Sequence, residues 1–278
     1  MRTSRILPAL IAASLLVGVN AAAQPRPTSG AEFPAARFDS LDRIAFYLWQ
    51  YDSFAWATSE TLSSHVTELG NDLIGRLGEE WFCFKRDSTW HAVYGKYDPA
   101  TDKYDAVLHY VSAGSNGIVR TSESVDSNMA NRFGRALSIT RAHLPSALQQ
   151  SNIRFNSYLR EREDGRVDVW YIPAWQQNGW ILYGAEFQYT LDETARTVTD
   201  SIVRLGNIKG MRPDTTATLH LVHEDSPGIA TVAELLFIRL YTRHFAHVRV
   251  ITRDWSTELF KGPPQAWIHA LREARPAN

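Results

Sequence analysis

Apolar residues between Phe38 and Ser53 recur at Leu41, Ile44, Ala45, Leu48 and Trp49, and this spacing of three and four predicts an amphipathic helix. A second helical stretch is expected from Thr61 to Leu77, with Asp39 or Ser40 capping the first and Gly78 ending the second. The period then drops to two. Glu79–Arg86, Thr89–Tyr97 and Tyr104–Ser112 are aromatic and β-branched runs broken by Asp87-Ser88 and by Asp98–Asp102, the pattern of an antiparallel meander.

Helical spacing returns between Val125 and Gln150, with Met129, Phe133 and Leu137 on its apolar side and Pro145 near a break. Ile153–Arg162 and Arg166–Ile172 flank Glu163-Asp-Gly165, a hairpin turn in which Gly supplies the positive φ. Trp180–Leu191 and Thr197–Arg204 flank Asp192–Ala195 as a second hairpin. Thr216–Val222 reads as a strand, Ile229–His244 as a helix, Val248–Thr252 as a strand and Pro264–Ala274 as a short terminal helix anchored by Trp267 and Leu271. The fold class expected is α+β, antiparallel or mixed sheet with helices packed against it.

Composition changes this picture mainly at the N-terminus. Arg2 and Arg5, the apolar run Ile6–Val19 and the small residues Ala21–Ala23 predict a secretory signal peptide over residues 1–23. Pro25–Gly30 then begins a leader, residues 24–36, too poor in apolar side chains to fold. Two α+β regions are expected beyond it, 37–150 and 151–278, free to form one compact unit. The expected destination is export, to the periplasm or the extracellular space, with no stable membrane span in the mature chain. The 29 Lys and Arg against 30 Asp and Glu are scattered, which points away from nucleic acid. Cys83, the single cysteine, lies in the aromatic run Trp81–Phe84 and is expected to be a buried, inert thiol.

The chemistry-bearing segment is Leu219–Phe237, where His223 is followed eight residues later by Thr231 and eleven later by Glu234. Its spacing resembles the JAB/JAMM (MPN) metallopeptidase family, over about Tyr171 to Phe260. That resemblance implies zinc held by two histidines one residue apart on a strand and by an aspartate on the next helix, with an earlier glutamate as general base. It places His223 and Glu234 as ligands, Thr231 at the family's serine position and Glu186 as the acid on the earlier strand, where Gln176 and Gln177 stand nearer the expected place. Leu221 occupies the first histidine's position, and His220 is one residue off, on the opposite strand face. A second metal grouping to consider is His220, His223, His244 and His247.

The remaining feature is aromatic. Nine tryptophans are an unusual supply of flat apolar surface, and Trp175, in the polar turn Pro173–Gly179, is the ligand-binding candidate. The leading expectation is therefore a non-catalytic binding or interaction protein with a degenerate peptidase-like region, taking a peptide, protein or glycan and needing no cofactor. The alternative is a metal-dependent hydrolase with a rearranged site around His223 and Glu234, using zinc.

Overall fold

The computed structural model describes residues 32–114, 117–149, 151–223, 228–262 and 265–272. The signal peptide, leader residues 24–31 and the boundary at Gln150 lie outside the described residues.

Helix α1 runs unbroken over Ala35–His65, about 45 Å at 1.5 Å per residue. Two helices were expected here. The link between them, Phe54-Ala-Trp-Ala-Thr-Ser-Glu-Thr61, holds neither Gly nor Pro, so nothing in it stops propagation. The helix also starts earlier than the leader boundary, after Pro34 and without a side-chain cap, so Asp39 and Ser40 lie inside it. Phe33 belongs to the folded unit as well, its ring stacked 3.8 Å from that of His269. The rest of the expected second helix is a 3-10 turn and the four-residue α2, Asn71–Ile74.

Strands β1 (Phe82–Arg86), β2 (Thr89–Asp98), β3 (Lys103–Ser112) and the short β4 (Ile118–Arg120) form one antiparallel meander. Helix α3 (Ser127–Ala142), N-capped by the Asp126 side chain, and α4 (Ser146–Gln149) lead into a second meander. It comprises β5 (Phe155–Glu161), β6 (Val167–Pro173), β7 (Ile181–Leu191) and β8 (Val198–Met211). Every residue of β6 is buried, and α3 packs on both meanders.

The last sheet is mixed, in the order β12-β11-β10-β9. Strand β9 (Asp214–His223) pairs parallel with β10 (Phe245–Thr252), and α5 (Val232–Tyr241) supplies the crossover that a parallel pair requires. Strands β11 (Trp255–Phe260) and β12 (Ala266–Leu271) add an antiparallel hairpin. The terminal segment is therefore a strand and not the helix its anchors predicted. Trp267 and His269, two apart, turn inward onto Phe38 of α1, so period two wins over helical spacing. Leu271, the second expected anchor, is exposed. The architecture is α+β, and among the described residues no helix is long and apolar enough to cross a membrane.

Helix α1 is the element that all three sheets share. Its buried residues Phe38, Ala45, Leu48, Tyr51 and Ala55 enter the common core. Tyr51 is the joint. Its hydroxyl accepts the Cys83 N–H of edge strand β1 at 2.9 Å, and its ring meets Tyr158 of β5 at 5.5 Å. Cys83 itself is fully buried, and burial pushes its thiol pKa well up. Arg239 of α5 clamps the other end of α1 through both carboxylate oxygens of Asp42, and its guanidinium lies over Phe46 and Trp267.

Replacing Tyr51 by Phe keeps the ring but leaves the Cys83 N–H unsatisfied in the core. The expected loss is about 1–3 kcal/mol of unfolding free energy, read by denaturant titration. An unchanged midpoint and slope would show that this hydrogen bond does not join the helix to the sheet.

Candidate functional site

The aromatic candidates separate by burial. Trp90 and Trp170 belong to the core, whereas Trp49, Trp56, Trp81 and Trp175 line one cleft of about 1610 Å³. One wall is the solvent-facing stripe of α1, where Trp49, Asp52, Ser53 and Trp56 follow at i, i+3, i+4 and i+7. That spacing puts Trp49 and Trp56 on one side of the helix, two turns and about 10 Å apart along its axis. Trp56 is 65% exposed, with its ring available to a ligand.

The opposite wall is built by the entry to β5, the β6–β7 loop and the end of α5. Trp175 is half-buried there, edge-on to Tyr241 at 6.0 Å and to His244 at 4.7 Å between ring centroids. Its loop is stapled to the entry of β5. The Gln176 side chain accepts the Arg154 N–H at 3.1 Å and donates to the Arg154 carbonyl at 3.1 Å, and the Ala174 N–H reaches the same carbonyl at 2.9 Å.

At the floor, Asp52 accepts hydrogen bonds from Tyr158 Oη at 2.8 Å and Asn156 Nδ2 at 3.1 Å. Burial raises its carboxyl pKa despite these donors, with Arg243 pulling the other way. A buried carboxyl with a perturbed pKa beside a cleft is a candidate functional position. Burial and the neighbouring Arg243 lower the His244 pKa, which favours neutral imidazole beside Trp175.

The second cluster sits away from this cleft, where β7, β9 and α5 meet. Thr231 caps α5 reciprocally with Glu234: Thr231 Oγ1 accepts the Glu234 N–H, and Glu234 Oε2 accepts the Thr231 N–H at 2.7 Å. The other carboxylate oxygen, Oε1, accepts from Tyr183 Oη at 2.7 Å and from His223 Nδ1 at 2.8 Å. This fixes the His223 proton on Nδ1 and leaves Nε2 without a partner among the described residues. Glu186 approaches from β7, where a register shift at Gly184, φ +104°, brings Tyr183 and Glu186 to the same side although they are three residues apart. Arg204 donates to Glu186 Oε2 at 2.7 Å, while Glu186 Oε1 is buried without a hydrogen-bond partner. Burial raises the Glu186 pKa, and the charge of Glu234 adds to the rise.

His223, Thr231, Glu234 and Glu186 are thus gathered in one place, but as a proton-holding network. Leu221, at the position of the missing histidine, is 2% exposed and packs in the core, and His220 is exposed on the outer strand face. The Glu234 carboxylate is occupied by three donors. Among the described residues no group of three or more His, Cys, Asp or Glu is placed to hold a metal ion, and catalytic zinc usually takes three ligands from protein. The four-histidine grouping does not form either. His247 is engaged by Glu258, His244 by Trp175 and His223 by Glu234. The loop following His223, residues 224–227, lies outside the described residues.

Sequence reading missed Asp52, Trp56, Arg154 and Arg243 in the cleft, and Tyr183 and Arg204 in the cluster. The first two had a usable signal, since Trp49, Asp52, Ser53 and Trp56 keep helical spacing once α1 is continuous. The others are brought in by loops and a bulge that no periodicity announces.

Compared with known proteins, the chain matches no family model, no curated protein and no solved structure.

The hydrogen bond to Glu234 raises the His223 pKa above its ordinary value. A histidine pKa that is higher folded than unfolded contributes stability that is full below about 6.5 and lost as pH rises through the folded value. NMR titration of His223 should therefore give a value above that of free imidazole, and Glu234→Gln should bring it down. A His223 pKa unmoved by Glu234→Gln would contradict the network.

Proposed function

We propose that this is a binding protein whose cleft between α1 and the β6–β7 loop takes a saccharide chain. The observation that carries the reading is the convergence of Trp49, Trp56, Trp81 and Trp175 on that cleft. Flat aromatic faces stack on the apolar faces of pyranose rings and lose little conformational entropy in doing so. Between them stand short, directional polar groups, Asp52, Ser53, Asn156 and Gln177, of the kind that reads ring hydroxyls. A few placed polar groups on a mostly apolar concave wall is the general form of a small-molecule site.

Asp52 and Glu79 are the carboxylates lining the cleft among the described residues, and the exposed Glu79 is ion-paired with Arg141. Export, as read from the N-terminal residues, would put such a protein where saccharide polymers are met.

A second reading, a metal-dependent hydrolase around His223 and Glu234 with Glu186 and Thr231, draws on one observation, the buried and unpartnered Glu186 Oε1 beside that cluster. It requires a further zinc ligand beyond the described residues. Metal analysis of protein purified without chelator separates the two: stoichiometric zinc that disappears in His223→Ala favours the hydrolase.

Titration of the protein with a panel of neutral and charged oligosaccharides, read through tryptophan fluorescence, tests the binding reading. Quenching or enhancement that saturates is expected for at least one saccharide, with Trp175→Ala weakening it about tenfold, the effect of losing an aromatic anchor. Binding undisturbed by both Trp175→Ala and Trp56→Ala would remove the cleft from consideration.

A further inference from the structure

Four guanidinium groups border the cleft, and they are not equivalent. Arg141 is held by Glu79 and Arg239 by Asp42. Arg154 and Arg243 are exposed, and neither has a carboxylate partner within ion-pair distance among the described residues. Both line the same cleft as Trp175. The Arg154 backbone is tied to the Trp175 loop through the Gln176 staple and the Ala174 N–H. Arg243 is joined to His244, its Nε lying 3.0 Å from His244 Nε2, and His244 meets Trp175 edge-on at 4.7 Å.

A tryptophan that shares its cleft with two exposed guanidinium groups, neither ion-paired to a carboxylate among the described residues, offers both an apolar stacking face and charge-assisted donors for whatever stacks there. We propose that the cleft selects saccharides whose pyranose rings carry a carboxylate, uronic acids, with Trp175 stacking the ring and Arg154 and Arg243 receiving the carboxylate. This rests on the cleft being a saccharide site and adds its charge class. Arginine suits the task because its planar donor fork matches a carboxylate in two parallel hydrogen bonds and its charge does not titrate away.

Isothermal titration of the full chain with trigalacturonate and with neutral galactotriose, at one ionic strength, measures the selectivity. Trigalacturonate is expected to bind about tenfold or more tightly, the worth of a charged hydrogen-bonded pair. In the double variant Arg154→Gln, Arg243→Gln, both substitutions being at exposed side chains, the acidic ligand should lose its advantage, the ratio of the two affinities falling to about one. Equal binding of the two trisaccharides by the wild-type protein overturns the carboxylate assignment and leaves the saccharide cleft standing. Tighter binding of a sulfated trisaccharide than of trigalacturonate also overturns it, as does equally tight binding of a tri-glutamate peptide. If no saccharide of either charge binds, the cleft reading itself fails and this proposal with it.

Discussion

The burial of one face of a single 31-residue helix is the constraint on which the rest of the molecule depends. With Leu48, Tyr51 and Ala55 buried, helix α1 turns the adjoining stripe of Trp49, Asp52, Ser53 and Trp56 toward the cleft. Because the helix is rigid, the cleft wall is set by the core behind it. Tyr51 ties the helix to β1 through the Cys83 N–H, and Asp52, the next residue, is held from β5 by Tyr158 and Asn156. Consecutive residues thus serve the core and the cleft.

The opposite wall is made of less regular parts, and its order comes from side chains bonding to backbone. Gln176 closes the β6–β7 loop onto Arg154, and Tyr241 and His244 wedge Trp175 from the end of α5. Arg239 then returns the end of α5 to α1 through Asp42. The two walls are accordingly coupled through the Arg239–Asp42 ion pair, the packing of α1 on α5 and the bonds from β5 to Asp52, and the cleft is largely formed before any ligand arrives, which lowers the ordering cost of binding.

The regular elements were largely legible in the sequence because their periods were clean. The hairpins around Gly165 and Ala195, both at positive φ, and the capping box at Thr231 and Glu234 follow from local residue chemistry. Errors arose where two periods fit the same residues. Trp267 and Leu271 satisfy helical spacing, yet the edge of β11 and the rings of Phe33 and Phe38 draw Trp267 and His269 into a strand. Helix α1 continues where two helices were expected because no breaker stands between Ser53 and Thr61. For the site, spacing alone did bring together His223, Thr231, Glu234 and Glu186, but it could not show that Tyr183 and the Thr231 N–H would occupy the carboxylate. Nor could it show that Trp175 would face Trp49 and Trp56 across a cleft, since that meeting depends on how β5, α1 and α5 pack.

Hydrogen–deuterium exchange of the full chain, with and without saturating trigalacturonate, locates the surface that takes the ligand. Slowed exchange is expected in four separate segments, residues 49–59 of α1, 151–158 at the entry to β5, and 174–179 and 239–244 around Trp175. Protection centred instead on residues 181–186 and 228–235, around His223 and Glu234, would place the working site at the other cluster and contradict the cleft assignment.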